Sequence, residues 1–268
     1  MTERIAVLGG GVMGETLAAG FLRGLEPRPV VVIAEKRVDR ADELRASLGV
    51  EIAGPADAVA EADVVVLVVK PQDLSTLLDA VGSSIRPGAL VISIAAGIST
   101  TFVAQRVAAG VDVVRAMPNT PARIDMGVTA VSPAPGCTPA GLARALELMS
   151  VVGSVVEVPE EQQDAATAVS GSGPAYAFLL AESMIAAGVG LGLDAAVARR
   201  MVIDTIAGAG RLMQVSDDPP ETLRAMVTSP NGTTAAAIAA FEQLGFGATV
   251  AQALQAARDR SRELAEGR

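Results

Sequence analysis

The chain has 268 residues, half of them hydrophobic, with a formal charge of −9 and no histidine. That length suits one large or two medium domains with a substantial core, and the acidic balance with an aromatic content of 2% argues against nucleic acid as a partner. A single cysteine, Cys137, rules out an internal disulfide framework, no charge-free apolar run approaches the roughly 18 residues of a membrane span, and MTERIAVLGGG lacks a signal-peptide pattern, so the expectation is a soluble, cytoplasmic protein with no membrane partner.

Residues 4–9 read as a buried strand followed by a helix over 12–23. Strands are expected at 30–34, 64–69, 89–94 and 111–116, with helices at 37–48, 74–81 and 100–108. VVVLVV at 64–69 has the unbroken apolar run of a parallel strand covered on both faces. Alternating strands and helices imply an α/β fold, a doubly wound Rossmann-type sheet. A strand at 128–132, a helix at 139–151 and a strand at 154–158 complete this half.

After Pro159 only Ala-rich helical stretches follow, at 162–168, 174–188, 194–215, 220–227, 233–244 and 246–266. The expected domains are therefore 1–158, dinucleotide-binding, and 159–268, all-helical. The second is short of large side chains, so dimerisation through its apolar faces is expected.

Gly9-Gly10-Gly11-Val12-Met13-Gly14 is a G-x-G-x-x-G run that leaves the first strand and opens the first helix. Gly9 permits the tight turn, Gly11 lets the backbone approach a pyrophosphate, and Gly14 allows close helix–strand packing. The helix N-terminus then receives the phosphate charge. Glu35 stands 21 residues beyond Gly14, where an acid holds the ribose hydroxyls of NAD. Lys36 and Arg37 follow it and suit the 2′-phosphate of NADP instead. NADP is the preferred expectation and NAD the alternative. Lys70, the only other lysine, lies in VVKPQ at the carboxyl end of a strand, where open α/β sheets bind ligands. Ala95-Ala96-Gly97 is small enough for a cofactor to lie against.

Hydride transfer to a ketone needs a proton donor for the alkoxide, commonly His, Lys or a Tyr/Lys pair. Histidine is absent, no lysine follows residue 70, and Tyr176 has Leu180 four residues on. A protonated imine is already an electrophile, so a site of hydroxyls and main-chain amides suffices for it.

GGGVMG, VVKPQ, AAG, RAMPNTP (115–121), AVSGSGPAY (168–176) and TSPNGTT (228–234) occur in the order and approximate spacing of the Δ1-pyrroline-5-carboxylate reductase family. The chain resembles that family over nearly its whole length, down to RSREL near the C-terminus. The resemblance implies reduction of 1-pyrroline-5-carboxylate to L-proline by NAD(P)H, the last step of proline synthesis. It also implies a homodimer that assembles into a larger ring such as a decamer.

Carried over by motif, Thr234 is the catalytic residue whose hydroxyl bonds the substrate ring nitrogen. Ser229 and the amides around Gly232, Thr233 and Thr234 hold the carboxylate, with Glu160 at a substrate-side position. Val69, Lys70, Pro71 and Ala96 match cofactor contacts, and Met117 and Asn119 stand near the nicotinamide. One departure is Asn231, where the family usually has glycine; Asn tolerates the left-handed conformation, so the turn is expected to survive. Structural uses compete with these roles. Ser170 to Pro174 can simply start a helix, Asn119 can shape a turn, and Thr234 can be only a cap. Arg115 and Arg123 read as solvated or structural. The rival functions are another imine or β-hydroxyacid-type reductase on the same plan, and a non-enzymatic nucleotide-sensing dimer.

Overall fold

A computed structural model describes residues 2–265. Its strands are β1 (Arg4–Leu8), β2 (Val30–Ala34), β3 (Glu51–Ile52), β4 (Val64–Leu67), β5 (Leu90–Ser93), β6 (Asp112–Met117), β7 (Gly127–Pro133) and β8 (Gly153–Glu157). They form one sheet in the order β3-β2-β1-β4-β5-β6-β7-β8. Each pair is parallel except β6–β7, where Val114 opposes Pro133 and Met117 opposes Ala130.

Six helices accompany the sheet: α1 (Val12–Gly24), α2 (Val38–Leu48), α3 (Pro55–Ala60), α4 (Pro71–Val81), α5 (Thr100–Ala104) and α6 (Pro139–Ser150). Successive strand residues point to opposite faces, and both faces are covered. Ile5 and Val7 pack with Leu17 and Phe21 of α1 and Leu148 of α6. Ala6 and Leu8 pack with Val59 of α3 and Leu74 and Leu78 of α4. All four residues of β4 are buried, as its continuous apolar run requires. The doubly wound fold class is therefore present, while β3 and α3 go beyond the expected elements. A strand of two residues and a helix of six are too short for hydrophobic periodicity to register.

The remaining helices are α7 (Gln163–Ala166), α8 (Gly173–Gly190), α9 (Ala195–Val215), α10 (Pro220–Met226), α11 (Thr233–Gln243) and α12 (Phe246–Ala265), with a π-helical turn at Thr167–Gly171 between α7 and α8. The expected helix end at residue 266 lies outside the described residues. The chain forms two compact units: the first runs to Ser172 and takes in the end of α12 from Ala256, and the second is Gly173–Gln255. Sheet gives way to helix after Glu157, yet the first unit continues to Ser172 because this stretch packs on β7. Buried Gln163 donates from Nε2 to the Ser132 hydroxyl at 2.8 Å, which donates in turn to the Val158 carbonyl at 2.6 Å. The end of α12 belongs there too, since buried Ser261 donates to Asp164 at 2.8 Å.

Within the second unit α8 packs against α9, and Asp194 caps α9 by accepting from the Ala196 amide at 2.9 Å. Few side chains there are buried. Phe178, Leu179, Leu191 and Leu244 are 61%, 62%, 88% and 83% exposed, so one copy leaves large apolar faces in contact with water. The helical stretch Glu160–Gly190 is long and apolar enough to cross a membrane by length and composition, its most apolar 18-residue window having mean hydropathy 1.2.

Candidate active site

The turn from β1 into α1 is built on glycine geometry. Gly9 has φ +120°, and a Cβ there would lie 2.6 Å from the Val68 carbonyl oxygen. At Gly14 a Cβ would stand 1.9 Å from the Gly9 carbonyl oxygen, so α1 leaves the strand this closely only with glycine. Gly11 differs: a Cβ there would meet nothing within 4 Å, because the residue opens onto a cleft. Gly11 is also the N-cap of α1 and no side chain caps that helix. A helix start leaves its first-turn amides without intrahelical partners, and such an end suits an anion. These features fit the pyrophosphate of a dinucleotide.

The cleft has a volume of about 850 Å³ and runs along the carboxyl ends of β1, β2 and β4. It brings together Gly9, Gly11, Glu35, Lys36, Arg37, Val69 and Lys70, so both lysines of the chain line one opening. Lys70 is the exposed N-cap of α4, whose first residue is Pro71. Val12, Met13 and Gly14 lie in the first turn of α1 but outside the cleft lining, as do Pro71, Ala96, Met117 and Asn119.

Glu35 is held on both oxygens. Its Oε2 accepts from the Gly10 amide at 3.0 Å and its Oε1 from the Arg37 amide at 2.9 Å. Lys36 and Arg37 are exposed at the cleft. Sequence reasoning missed Arg40, whose Nε donates to the Gly10 carbonyl at 2.9 Å. It also missed Arg45 and Asp42, which line the cleft as an ion pair at 2.6 Å. The one available signal was spacing: Arg40 and Arg45 lie on the helix that follows the charged 35–37 segment.

Asn119 is buried beneath the π-turn. Its Nδ2 donates to the Ser170 carbonyl at 3.1 Å, and its Oδ1 accepts from the Val128 amide at 2.9 Å. The π-turn closes with the Ser172 amide donating to the Thr167 carbonyl at 2.8 Å. Met117 sits against it, its Cε 3.0 Å from where a Cβ of Gly171 would be. Such π-turns concentrate at functional sites. The structural competitor for AVSGSGPAY is therefore refined: Ser170 and Gly171 belong to the π-turn, and α8 starts at Gly173.

Glu160 accepts from the Thr100 amide and from the Thr100 hydroxyl, both at 2.6 Å. Arg115 is buried next to it, 3.8 Å from Glu160 and 3.6 Å from Asp164. Burial lowers the proton affinity of this guanidinium, while Asp164 and Glu160 raise it. Of the two readings open for Arg115, solvated or structural, the structure gives the second. Arg123 closes the 3₁₀ turn Thr120–Ile124 and is exposed.

In the second unit, Ser229-Pro230-Asn231-Gly232 turns the chain into α11. Asn231 adopts φ +61°, the left-handed conformation expected of it. The Gly232 amide donates to the Ser229 carbonyl at 3.0 Å, and a Cβ on Gly232 would lie 2.5 Å from Ser229 Oγ. Gly232 is the N-cap, Thr233 and Thr234 are the first two helical residues, and no side chain caps α11. The competing reading of Thr234 as only a cap is excluded, since it lies within the helix.

A dinucleotide cleft in a doubly wound sheet, followed by a helical unit with exposed apolar faces, defines the class of two-domain nucleotide-dependent oxidoreductases. Residues 160–264 match the family model for pyrroline-5-carboxylate reductase dimerisation, and residues 4–97 match that for NADP oxidoreductase, coenzyme F420-dependent. The pyrroline-5-carboxylate reductase of Pseudomonas aeruginosa is 43% identical over 271 residues, covering 99% of this chain and 98% of that protein. The solved structure of the enzyme from Coxiella burnetii superposes with TM-score 0.89 at 32% identity, covering 98% of this chain and 99% of the other. That of Plasmodium falciparum pyrroline carboxylate reductase, solved with NADP bound, gives 0.86 at 26% identity and 98% coverage of both. The chain belongs to the pyrroline-5-carboxylate reductase family.

Proposed function

We propose that the protein reduces 1-pyrroline-5-carboxylate to L-proline, the last step of proline biosynthesis. When bound in the cleft, NADPH or NADH supplies the hydride. The geometric observation that carries the substrate side is the start of α11, a helix N-terminus with no side-chain cap behind a left-handed Asn231. Its unpaired amides suit a carboxylate. The amides around Gly232, Thr233 and Thr234, with Ser229, hold the substrate carboxylate, and the Thr234 hydroxyl bonds the ring nitrogen. Glu160 serves the substrate side, holding Thr100 at the first residue of α5. A protonated imine that gains a hydride becomes a neutral secondary amine, so no proton has to be delivered in the same step. That chemistry suits a chain without histidine.

The glycine turn, Glu35, Lys36 and Arg37 hold the adenosine and phosphate end of the cofactor, with NADPH preferred. Val69, Lys70, Pro71 and Ala96 line its path, and Met117 and Asn119 shape the nicotinamide end. In functional terms the division falls after residue 158, supported by the dimerisation match that begins at residue 160. The exposed apolar faces of the helical unit are covered by a second copy, and dimers assemble into a larger ring such as a decamer. A cytoplasmic enzyme with no membrane or nucleic-acid partner fits the charge of −9 and the single cysteine.

The test follows cofactor absorbance with 1-pyrroline-5-carboxylate and light scattering on the eluted protein. Turnover and a mass of at least a dimer are expected. No turnover with either cofactor would refute the reading, and turnover only with a different cyclic imine would favour the rival reductase.

A further inference from the structure

Gly10 is gripped on both its main-chain polar groups by side chains from the segment after β2. Its amide donates to Glu35 Oε2 at 3.0 Å, and its carbonyl accepts from Arg40 Nε at 2.9 Å. Arg40 is fixed in turn, donating from NH1 to Glu43 at 3.0 Å and from NH2 to Glu15. Its side chain is only 16% exposed. The turn has no slack on that side either: a Cβ on buried Gly10 would lie 2.5 Å from Leu44 Cδ1 of α2 and 3.0 Å from Glu35 Oε2.

Two consequences follow. Glu15 lies in the first turn of α1, where a carboxylate stabilises the helix but repels a phosphate arriving at the same end. The guanidinium of Arg40 offsets that charge. Glu35, for its part, is 13% exposed and already accepts one main-chain N–H on each oxygen. Its placement serves the shape of the turn.

We propose that Glu35 and Arg40 are positioning residues that clamp the main chain of Gly10 and preset the phosphate-binding turn equally for NADPH and NADH, leaving the choice between them to Lys36 and Arg37. This inference rests on the nucleotide site of the reductase reading and departs from the assignment of a strand-end acid to NAD selection. It ties the ribose end of the cleft to the pyrophosphate end through one residue.

Calorimetric titration of the full-length protein with NADP+ and NAD+ tests it without relying on turnover. Arg40→Met and Glu35→Gln are expected to weaken both dinucleotides by the same factor, about tenfold for one charged hydrogen bond. The NADP+/NAD+ ratio stays as in the wild type. Arg40→Lys, which keeps the charge, recovers part of the loss and replaces Arg40→Met if that variant does not fold by circular dichroism. Lys36→Ala with Arg37→Ala lowers NADP+ affinity selectively. Loss of NAD+ binding alone in Glu35→Gln, or tighter NADP+ binding, overturns the proposal by making Glu35 the discriminator. Unchanged affinities in a folded Arg40→Met overturn it as well. Wild-type protein that binds both dinucleotides but never turns over 1-pyrroline-5-carboxylate refutes the functional reading and leaves the clamp standing; wild type that binds neither overturns both.

Discussion

Glu160 caps Thr100 across the fold, taking its main-chain amide on Oε1 and its hydroxyl on Oε2, both at 2.6 Å. A carboxylate at the first residue of α5 compensates amides that a helix start leaves unpaired, and charged acceptors make the stronger bonds. Thr100→Val removes the hydroxyl bond and keeps the amide bond and the shape. Denaturant unfolding should show a loss of about 1–2 kcal/mol, with NADP+ affinity unchanged because the cleft lining does not include Thr100.

Arg115 gives the same network its only deeply buried charge. Its partners stand at 3.8 and 3.6 Å, and its NH2 has no hydrogen-bond partner among the described residues. Long contacts of this kind contribute little to net stability, yet removing one member leaves the others uncompensated. Arg115→Met should therefore cost about 2 kcal/mol in unfolding free energy. Arg115→Lys should recover part of it, and a neutral effect of the Met variant would contradict the account.

The entry to α11 makes a conformational prediction. Asn231 sits at φ +61°, where alanine costs about 1 kcal/mol and glycine none. Asn231→Gly should match the wild type in melting temperature and in KM for 1-pyrroline-5-carboxylate, while Asn231→Ala raises KM. Thr234→Ala should cut kcat by about tenfold or more, the size of one lost hydrogen bond made in the transition state. Calorimetry should still find NADP+ bound, and an unchanged rate would remove Thr234 from its role.

Cys137 makes a pH prediction. Burial first, and the neighbouring Asp112 carboxylate next, push its thiol up to about 11. A folded-state value raised above the unfolded one favours the protonated form, so its contribution is fully present below pH of about 8.5 and is lost as pH climbs towards 11. Only the thiolate is alkylated. Iodoacetamide at pH 8 should therefore label native protein about 100-fold more slowly than denatured protein, the gap closing near pH 11. Equal rates at pH 8 would contradict this.

Local pattern made the frame legible. The glycine run marked the turn at Gly9 and Gly14 because only a residue without Cβ fits those contacts, and VVVLVV marked β4 because a strand covered on both faces is apolar throughout. Asn231 was readable from its tolerance of the left-handed region. Partners far apart in sequence were not readable. Thr100 and Glu160 are 60 positions apart, and nothing in either segment points to the other. Arg40 carries no signal of its own in the sequence, since its role depends on where Gly10 lies. The π-turn under Asn119 was equally hidden, because one extra residue in a helix leaves no trace in hydrophobic periodicity.

The reaction itself is tested most directly by isotope transfer. The protein is incubated with 1-pyrroline-5-carboxylate and NADPH deuterated at the transferable position, and the product is resolved by chiral chromatography and mass spectrometry. The expected product is L-proline carrying one deuterium, on the ring carbon that had been the imine carbon. Proline without deuterium, or no proline with either NADPH or NADH, would contradict it.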